Sequence, residues 1–201
     1  MPIQATYLHF FVFNYRINQL DATQHIIQRI IQRDIHACKQ LYDDYADGMF
    51  VVCYRIVGNI TDAEDVLQEA FMKVFEKIES FNGSSTLGAW IKRIVINHSL
   101  NAVKKRKPYL IEFSEHYDIE DEVMEEEDVI NWRIEDIQSA IEQLPQGYKL
   151  VFNLYMFEDF SHREIADMLN IAESTAKTQF FKSKKKLREI LSYMKGGGKR
   201  I

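Results

Sequence analysis

Residues 161–187 read SHREIADMLNIAESTAKTQFFKSKKKL, and they hold both ends of one short helix and the start of another. Ser161 and Glu164 stand in the S-x-x-E spacing of a capping box, in which the hydroxyl accepts from the backbone N–H three residues on and the carboxylate reaches back. Ile165, Ala166, Met168 and Leu169 then supply an apolar face. Asn170 falls where a left-handed residue is needed to turn the chain. A second helix, about Glu173 to Tyr193, carries Ala176, Phe180, Leu187, Ile190 and Leu191 inward, and Lys177, Lys182, Lys184 to Lys186 and Arg188 outward. Short helix, tight turn and basic helix make a helix-turn-helix. Small Ala166 allows close helix approach and Phe180 anchors the second helix, whose N-terminal half can enter a major groove about 12 Å wide. Ser174, Thr175, Lys177, Thr178 and Gln179 are then positioned for base edges, and Lys182, Lys184, Lys185 and Lys186 for phosphates, which give affinity without sequence choice. A basic helix in an ordinary bundle is the plainer account, but cap, turn residue and charge sorting all agree on duplex DNA.

Working upstream, Ile134, Ile137, Ile141 and Leu144 mark a helix closed by Pro145-Gln146-Gly147, and Val151, Phe152, Leu154 and Tyr155 mark the next. Before these, residues 109–133 hold nine acids between Glu115 and Asp128 and no sustained apolar period. They form a linker containing a domain boundary. It is either a solvated, self-repelling spacer or a polyanion that lies against basic patches when nucleic acid is absent. A helix is expected from about Thr86 to Lys107, ended by Pro108, with Leu87, Ile91, Ile94 and Val95 inward, Trp90 beside them and Lys104 to Lys107 at its end. The turn-rich loop SFNGSS precedes it at residues 80–85.

Thr61-Asp62-Ala63-Glu64 reads as a further capping box. The helix it opens has Val66, Leu67, Ala70, Phe71, Val74, Phe75 and Ile78 as a buried stripe, opposite Asp65, Gln68, Glu69, Met72, Lys73 and Glu76. A solvated outer face is the default for such a helix, and exposed Met72 beside Gln68 favours a contact surface. Further forward, one helix is expected from about Asp21 to Asp44 and another from about Ala46 to Val57, stopping at Gly58-Asn59. Residues 1–20 fit no helical period.

The chain has 201 residues with only 8 Gly and 3 Pro, too few turn formers for an all-β sandwich. Its formal charge of -5 argues against a nucleic-acid binder until the charges are located. Residues 1–107 balance at +2, 108–136 at -11 and 137–201 at +4. Two basic regions therefore flank one acidic strap. Cys38 and Cys53 sit inside apolar-periodic segments with no metal spacing and read as reduced, buried thiols. The apolar run Leu8 to Phe13 is far short of a membrane span, and neither a basic leader nor a small-residue cleavage site accompanies it, so a cytoplasmic chain is expected. The six histidines are scattered, and no HExxH, phosphate loop or nucleophile turn occurs, so no catalytic residue, metal or other cofactor is expected.

Taken with these motifs, ACKQLYDDYADGMFVVCYRIVGNITDAEDVLQEAFMKVFEKIESF, GAWIKRIVINHSLNAVKKRK and LPQGYKLVFNLYMFEDFSHREIADMLNIAESTAKTQFFKSKKKL make residues 22–192 resemble a bacterial extracytoplasmic-function (ECF) sigma factor. The resemblance implies an all-α chain of two small helical domains. These are an N-terminal extension at 1–21, region 2 at 22–108, the acidic linker at 109–133, a helix-turn-helix region 4 at 134–195 and a basic tail at 196–201. It implies that Asp65, Gln68, Glu69 and Met72 dock on the clamp helices of the RNA polymerase β′ subunit. It also implies that Asn82, Ser84, Ser85, Arg93, Asn97, Asn101, Lys104 and Lys105 hold the minus-ten element as a single strand with one flipped base, supported by Trp90. Charge neutralisation and a base pocket suit such a strand. Region 4 would read the minus-thirty-five element and touch the β flap. The family usually has Ser or Pro where Ala172 stands and Arg where Gln179 stands, so the base preference of this helix is its own. An anti-sigma factor is a partner the family implies and no residue here identifies. The competing readings are a stand-alone helix-turn-helix regulator that binds duplex DNA without polymerase and, more remotely, a helical enzyme.

Overall fold

The computed structural model describes residues 20–106 and 132–197, with side chains from 23 to 105 and from 132 to 194. The expected linker lies outside the described residues except for its last two, as do residues 1–19 and 198–201. Among the described residues there are eight α-helices, one 3-10 turn and no strand. The chain divides after Val103 into two compact units.

In the front unit, α1 (Leu20–Ile31) and α2 (Ile35–Val57) are separate helices. The break expected near Tyr45 falls instead at Gln32–Asp34, and the chain runs helical through Ala46. Arg33 takes a left-handed φ of 62°, and the Asp34 carboxylate accepts from the N–H groups of His36 and Ala37, satisfying donors that a helix start otherwise leaves open. Arg29 fixes Asp34 from behind at 2.8 Å. No Gly or Pro marks this break, whereas Asp47-Gly48, which looks like a turn, lies mid-helix.

Gly58 ends α2 with φ 86°, as expected. The helix α3 (Ile60–Lys77) starts earlier than the sequence pattern indicated: its cap is Asn59, not Thr61. Asn59 Oδ1 accepts from Asp62 N at 2.9 Å while its amide donates to the Asp62 carboxylate at 2.8 Å. Both bonds come from the Asn59 side chain, so the capping box expected at Thr61–Glu64 is replaced by an Asn N-cap two residues upstream, Asn capping at least as well as Thr. A 3-10 turn (Ile78–Ser80) and a loop lead to α4 (Leu87–Arg106).

The front core joins Leu41, Met49, Val52 and Ile56 of α2, Val66, Leu67, Ala70, Phe71 and Val74 of α3, and Leu87, Ile91, Val95, Ile96 and Leu100 of α4, each at most 5% exposed. Phe71 meets Tyr42 edge-on at 4.8 Å, and burying such a ring contributes about 1.5–3 kcal/mol. Ser99 is fully buried, its hydroxyl donating to Val95 O at 2.8 Å and lying 3.6 Å from Cys53 Sγ. Burial pushes the Cys53 thiol up to about 11.

The back unit contains α5 (Ile134–Glu142), α6 (Gln146–Met156), α7 (His162–Leu169) and α8 (Glu173–Gly197). Pro145 both follows α5 and occupies the cap position of α6, where a missing N–H costs nothing. Ile141, Leu144 and Phe152 form a buried cluster with Ile137, Phe157, Phe180, Leu187 and Ile190 packed against it. Lys149 is 6% exposed and ion-paired to Glu142.

Candidate nucleic-acid and polymerase interfaces

On α3 the apolar stripe fills the core and leaves Asp65, Gln68, Glu69 and Met72 exposed. Met72 is 63% exposed. Lys73 pairs with Glu76 at 2.8 Å, and Glu69 reaches across to His98 of α4, Oε2 to Nε2, at 2.9 Å. The face is therefore acidic and polar with one large flexible apolar side chain, over a rigid apolar base.

The loop before α4 is held from both ends. Asn82 Oδ1 accepts from Ser84 N at 3.0 Å, and Gly83 between them has φ 73°, a conformation that favours glycine. Thr86 Oγ1 accepts from Ala89 N at 3.2 Å, capping α4. Phe81 packs edge-on against Trp90 at 5.7 Å, so Trp90 props the loop. Asn82, Ser84 and Ser85 are all exposed. Along α4, Arg93, Asn97, Asn101 and Lys105 recur at four-residue steps and are all exposed, forming a stripe about 18 Å long. Lys104 is off that stripe and half-buried.

In the back unit both halves of the Ser161–Glu164 capping box form. Asn170 turns the chain with φ 56°, its N–H donating to Ala166 O. Ala166 is buried at the turn. On α8, Ser174 and Lys177 are exposed at the start of the helix. Thr175 and Thr178 are half-buried, and the Thr178 hydroxyl donates to Ser174 O at 2.9 Å.

Gln179 must be corrected: it is 2% exposed and cannot reach a base edge. It lies three residues after Ala176 and four before Ser183, both fully buried, so helical geometry turns it inward with them. Lys185 and Lys186 are exposed, and Lys182 and Lys184 half-buried. The Lys184 ammonium lies 5.0 Å over the Phe180 ring. Lys177 pairs with Glu173 at 2.7 Å and Lys186 with Glu189 at 2.9 Å. A hydrogen bond from Lys177, before its charge, lowers the Glu173 carboxyl below its ordinary range. Such exposed pairs are weak and exchange readily for phosphate.

Tyr155, expected in the core, is exposed instead. It stacks on His162 at 4.5 Å and tilts against Phe180 at 4.3 Å. Burial first, then the Lys177 charge, pulls His162 below the ordinary imidazole range. This imidazole thus buttresses the turn as a neutral ring.

Comparison with known proteins follows the same partition. The Sigma-70 region 2 family matches residues 41–109, and the Sigma-70, region 4 family matches 134–187. The ECF RNA polymerase sigma factor SigW of Bacillus subtilis (strain 168) is 32% identical over 176 residues, covering 82% of this chain and 94% of that protein. The chain belongs to the ECF sigma factors. The ECF RNA polymerase sigma-E factor of Haemophilus influenzae is 28% identical over 172 residues, covering 80% of this sigma factor and 90% of its relative. Among solved structures, the sigma factor RpoE of Bartonella quintana, in complex with the anti-sigma factor NepR, superposes with a TM-score of 0.52 at 23% identity, over 77% of this chain and 96% of that one. CnrH, in complex with the cytosolic domain of CnrY, gives a TM-score of 0.50 at 17% identity, over 86% and 99%.

This sigma factor accordingly binds core RNA polymerase and directs promoter recognition in transcription initiation, the leading of the readings the sequence offered. No helix among the described residues is long and apolar enough to cross a membrane. Two participants escaped sequence reasoning. His98 and Glu69 are 29 residues apart, and no periodicity relates positions on different helices. His162 joins Tyr155 and Phe180 only once the turns on both sides of α7 have formed.

Proposed function

We propose that the front unit grips polymerase through α3 and holds the opened minus-ten strand through the 82–85 loop and α4, while the back unit reads the minus-thirty-five duplex through α8 and touches the β flap. The observation that carries this reading is α3. Its inner face is buried, and on the exposed outer face from Asp65 to Met72 the large apolar side chain of Met72 is 63% exposed beside Gln68 and Glu69, where an ordinary solvated face would be wholly polar, and this supports contact with another molecule. The partner for that face is the pair of β′ clamp helices. On α4, Arg93 and Lys105 neutralise phosphates, and Asn97 and Asn101 donate and accept along the strand between them. The loop held by Asn82 and Thr86 is the pocket for one unstacked base, with Ser84 and Ser85 at its rim. On α8, Ser174 and Lys177 approach bases, Thr175 and Thr178 line the helix start, and Lys182 and Lys184 to Lys186 follow the phosphates.

The chain is thus a non-catalytic specificity subunit working in the cytoplasm, with region 2 at 22–108 and region 4 at 134–195. The solved relative RpoE, captured with the anti-sigma factor NepR, supports a partner of that kind here.

Run-off transcription with core enzyme on a promoter library tests the assignment. Alanine at Asn97 and Asn101 together should leave core binding intact and slow strand opening, followed by 2-aminopurine fluorescence in the minus-ten element. Opening at the wild-type rate would remove α4 from the strand.

A further inference from the structure

The Glu69–His98 pair spans the two helices assigned to different partners, and it is an unusual place for a glutamate to look for support. Four residues on from Glu69, in the direction that favours a helical ion pair, stands Lys73. Lys73 is engaged with Glu76 at 2.8 Å instead. The Glu69 carboxylate therefore crosses to α4 and meets His98 Nε2 at 2.9 Å, although its own side chain is 68% exposed. The imidazole is 25% exposed, so the fixed member of the pair is His98 and the adjustable one is Glu69. An exposed pair of this kind adds little to fold stability. What it changes is the freedom of a long, rotamer-rich side chain at the centre of a contact face.

We propose that His98 is a positioning residue for polymerase docking: from the promoter helix it holds the Glu69 carboxylate in one orientation on the α3 face, so that docking does not have to order it. The inference rests on α3 being the docking face. Fixing one such side chain in advance corresponds to about two- to tenfold in affinity. His98 touches neither the reacting strand nor polymerase in this account; it acts through Glu69.

The test measures the affinity of the full chain for core polymerase. His98→Leu should bind core about two- to tenfold more weakly, and His98→Gln, which keeps an N–H donor, should recover most of the loss. In a Glu69→Gln background His98→Leu should cause a much smaller further loss. A melting curve shows whether His98→Leu remains folded. Should it not, His98→Glu takes its place: facing a second carboxylate, it should weaken binding with Glu69 present and not with Gln at 69. The double change Asp65→Lys/Gln68→Lys runs alongside. If that change abolishes core binding while the folded His98 variant binds as wild type, or loses equally with and without Glu69, the positioning role is overturned and the docking face stands. If Asp65→Lys/Gln68→Lys leaves core binding unchanged, the docking face falls and the inference falls with it.

Discussion

The contact helix of the front unit and that of the back unit solve opposite problems. Along the α3 face from Asp65 to Glu76 the inner residues are apolar and the outer ones, Met72 apart, polar, so side-chain chemistry and direction largely coincide. On α8 they do not: Gln179 and Ser183 are polar yet buried at 2% and 0%, and the Lys184 ammonium sits over the Phe180 ring. In α3, residue type marks the working face at every position but Met72. In α8, position along the 3.6-residue period outranks residue type.

The largest effect expected on either unit comes from α3. Reversing charge with Asp65→Lys/Gln68→Lys should weaken core binding by about thirtyfold or more, the scale of a central hot spot, while binding of the full chain to free minus-thirty-five duplex persists. Unchanged core affinity in a titration would erase the functional distinction between the two helices. Next in size, replacing Lys184, Lys185 and Lys186 by Gln should weaken binding to every duplex sequence alike. The slope of log affinity against log salt should flatten by up to about 2.7, and an unchanged slope would place the phosphate contacts elsewhere.

Smaller effects sharpen the contrast. Asn59→Ala should cost about 1 kcal/mol of front-unit stability, and Thr61→Ala less than about 0.5 kcal/mol, both read from denaturant midpoints; the reverse order would restore Thr61 as the cap. The smallest effect belongs to Gln179→Met, which keeps side-chain length. It should change relative affinities among minus-thirty-five variants by less than about twofold, against the 1–3 kcal/mol a base-reading contact carries. A larger change in preference would return Gln179 to the DNA surface.

Much of this architecture can be read in the sequence because local chemistry and tertiary packing agree. The Ser161 box, the Asn170 turn, the Gly58 stop and the α3 stripe each follow from a few adjacent residues. Where the reading departs from the structure, two local solutions competed. Asn59 and Thr61 can both cap, and the better acceptor stands two residues earlier. Asp34 starts α2 without a Gly or Pro to announce it, because Arg33 takes the left-handed conformation itself. The amide of Gln179 suggests a base contact, whereas Ala176, Ser183, Leu187 and Leu191 trace the inward row it belongs to. Contacts between helices, such as Glu69 with His98, leave no periodic trace at all.

One consequence lies at the base of the front unit. A thiol held at about 11 is ionised in only about one molecule in ten thousand at neutral pH, and Cys53 is wholly enclosed by its neighbours. Alkylating reagents and peroxides can therefore reach it only during the moments when α2 and α4 part. The rate at which Cys53 is labelled, compared with that of a free thiol, thus reports how much of the time this region stands open.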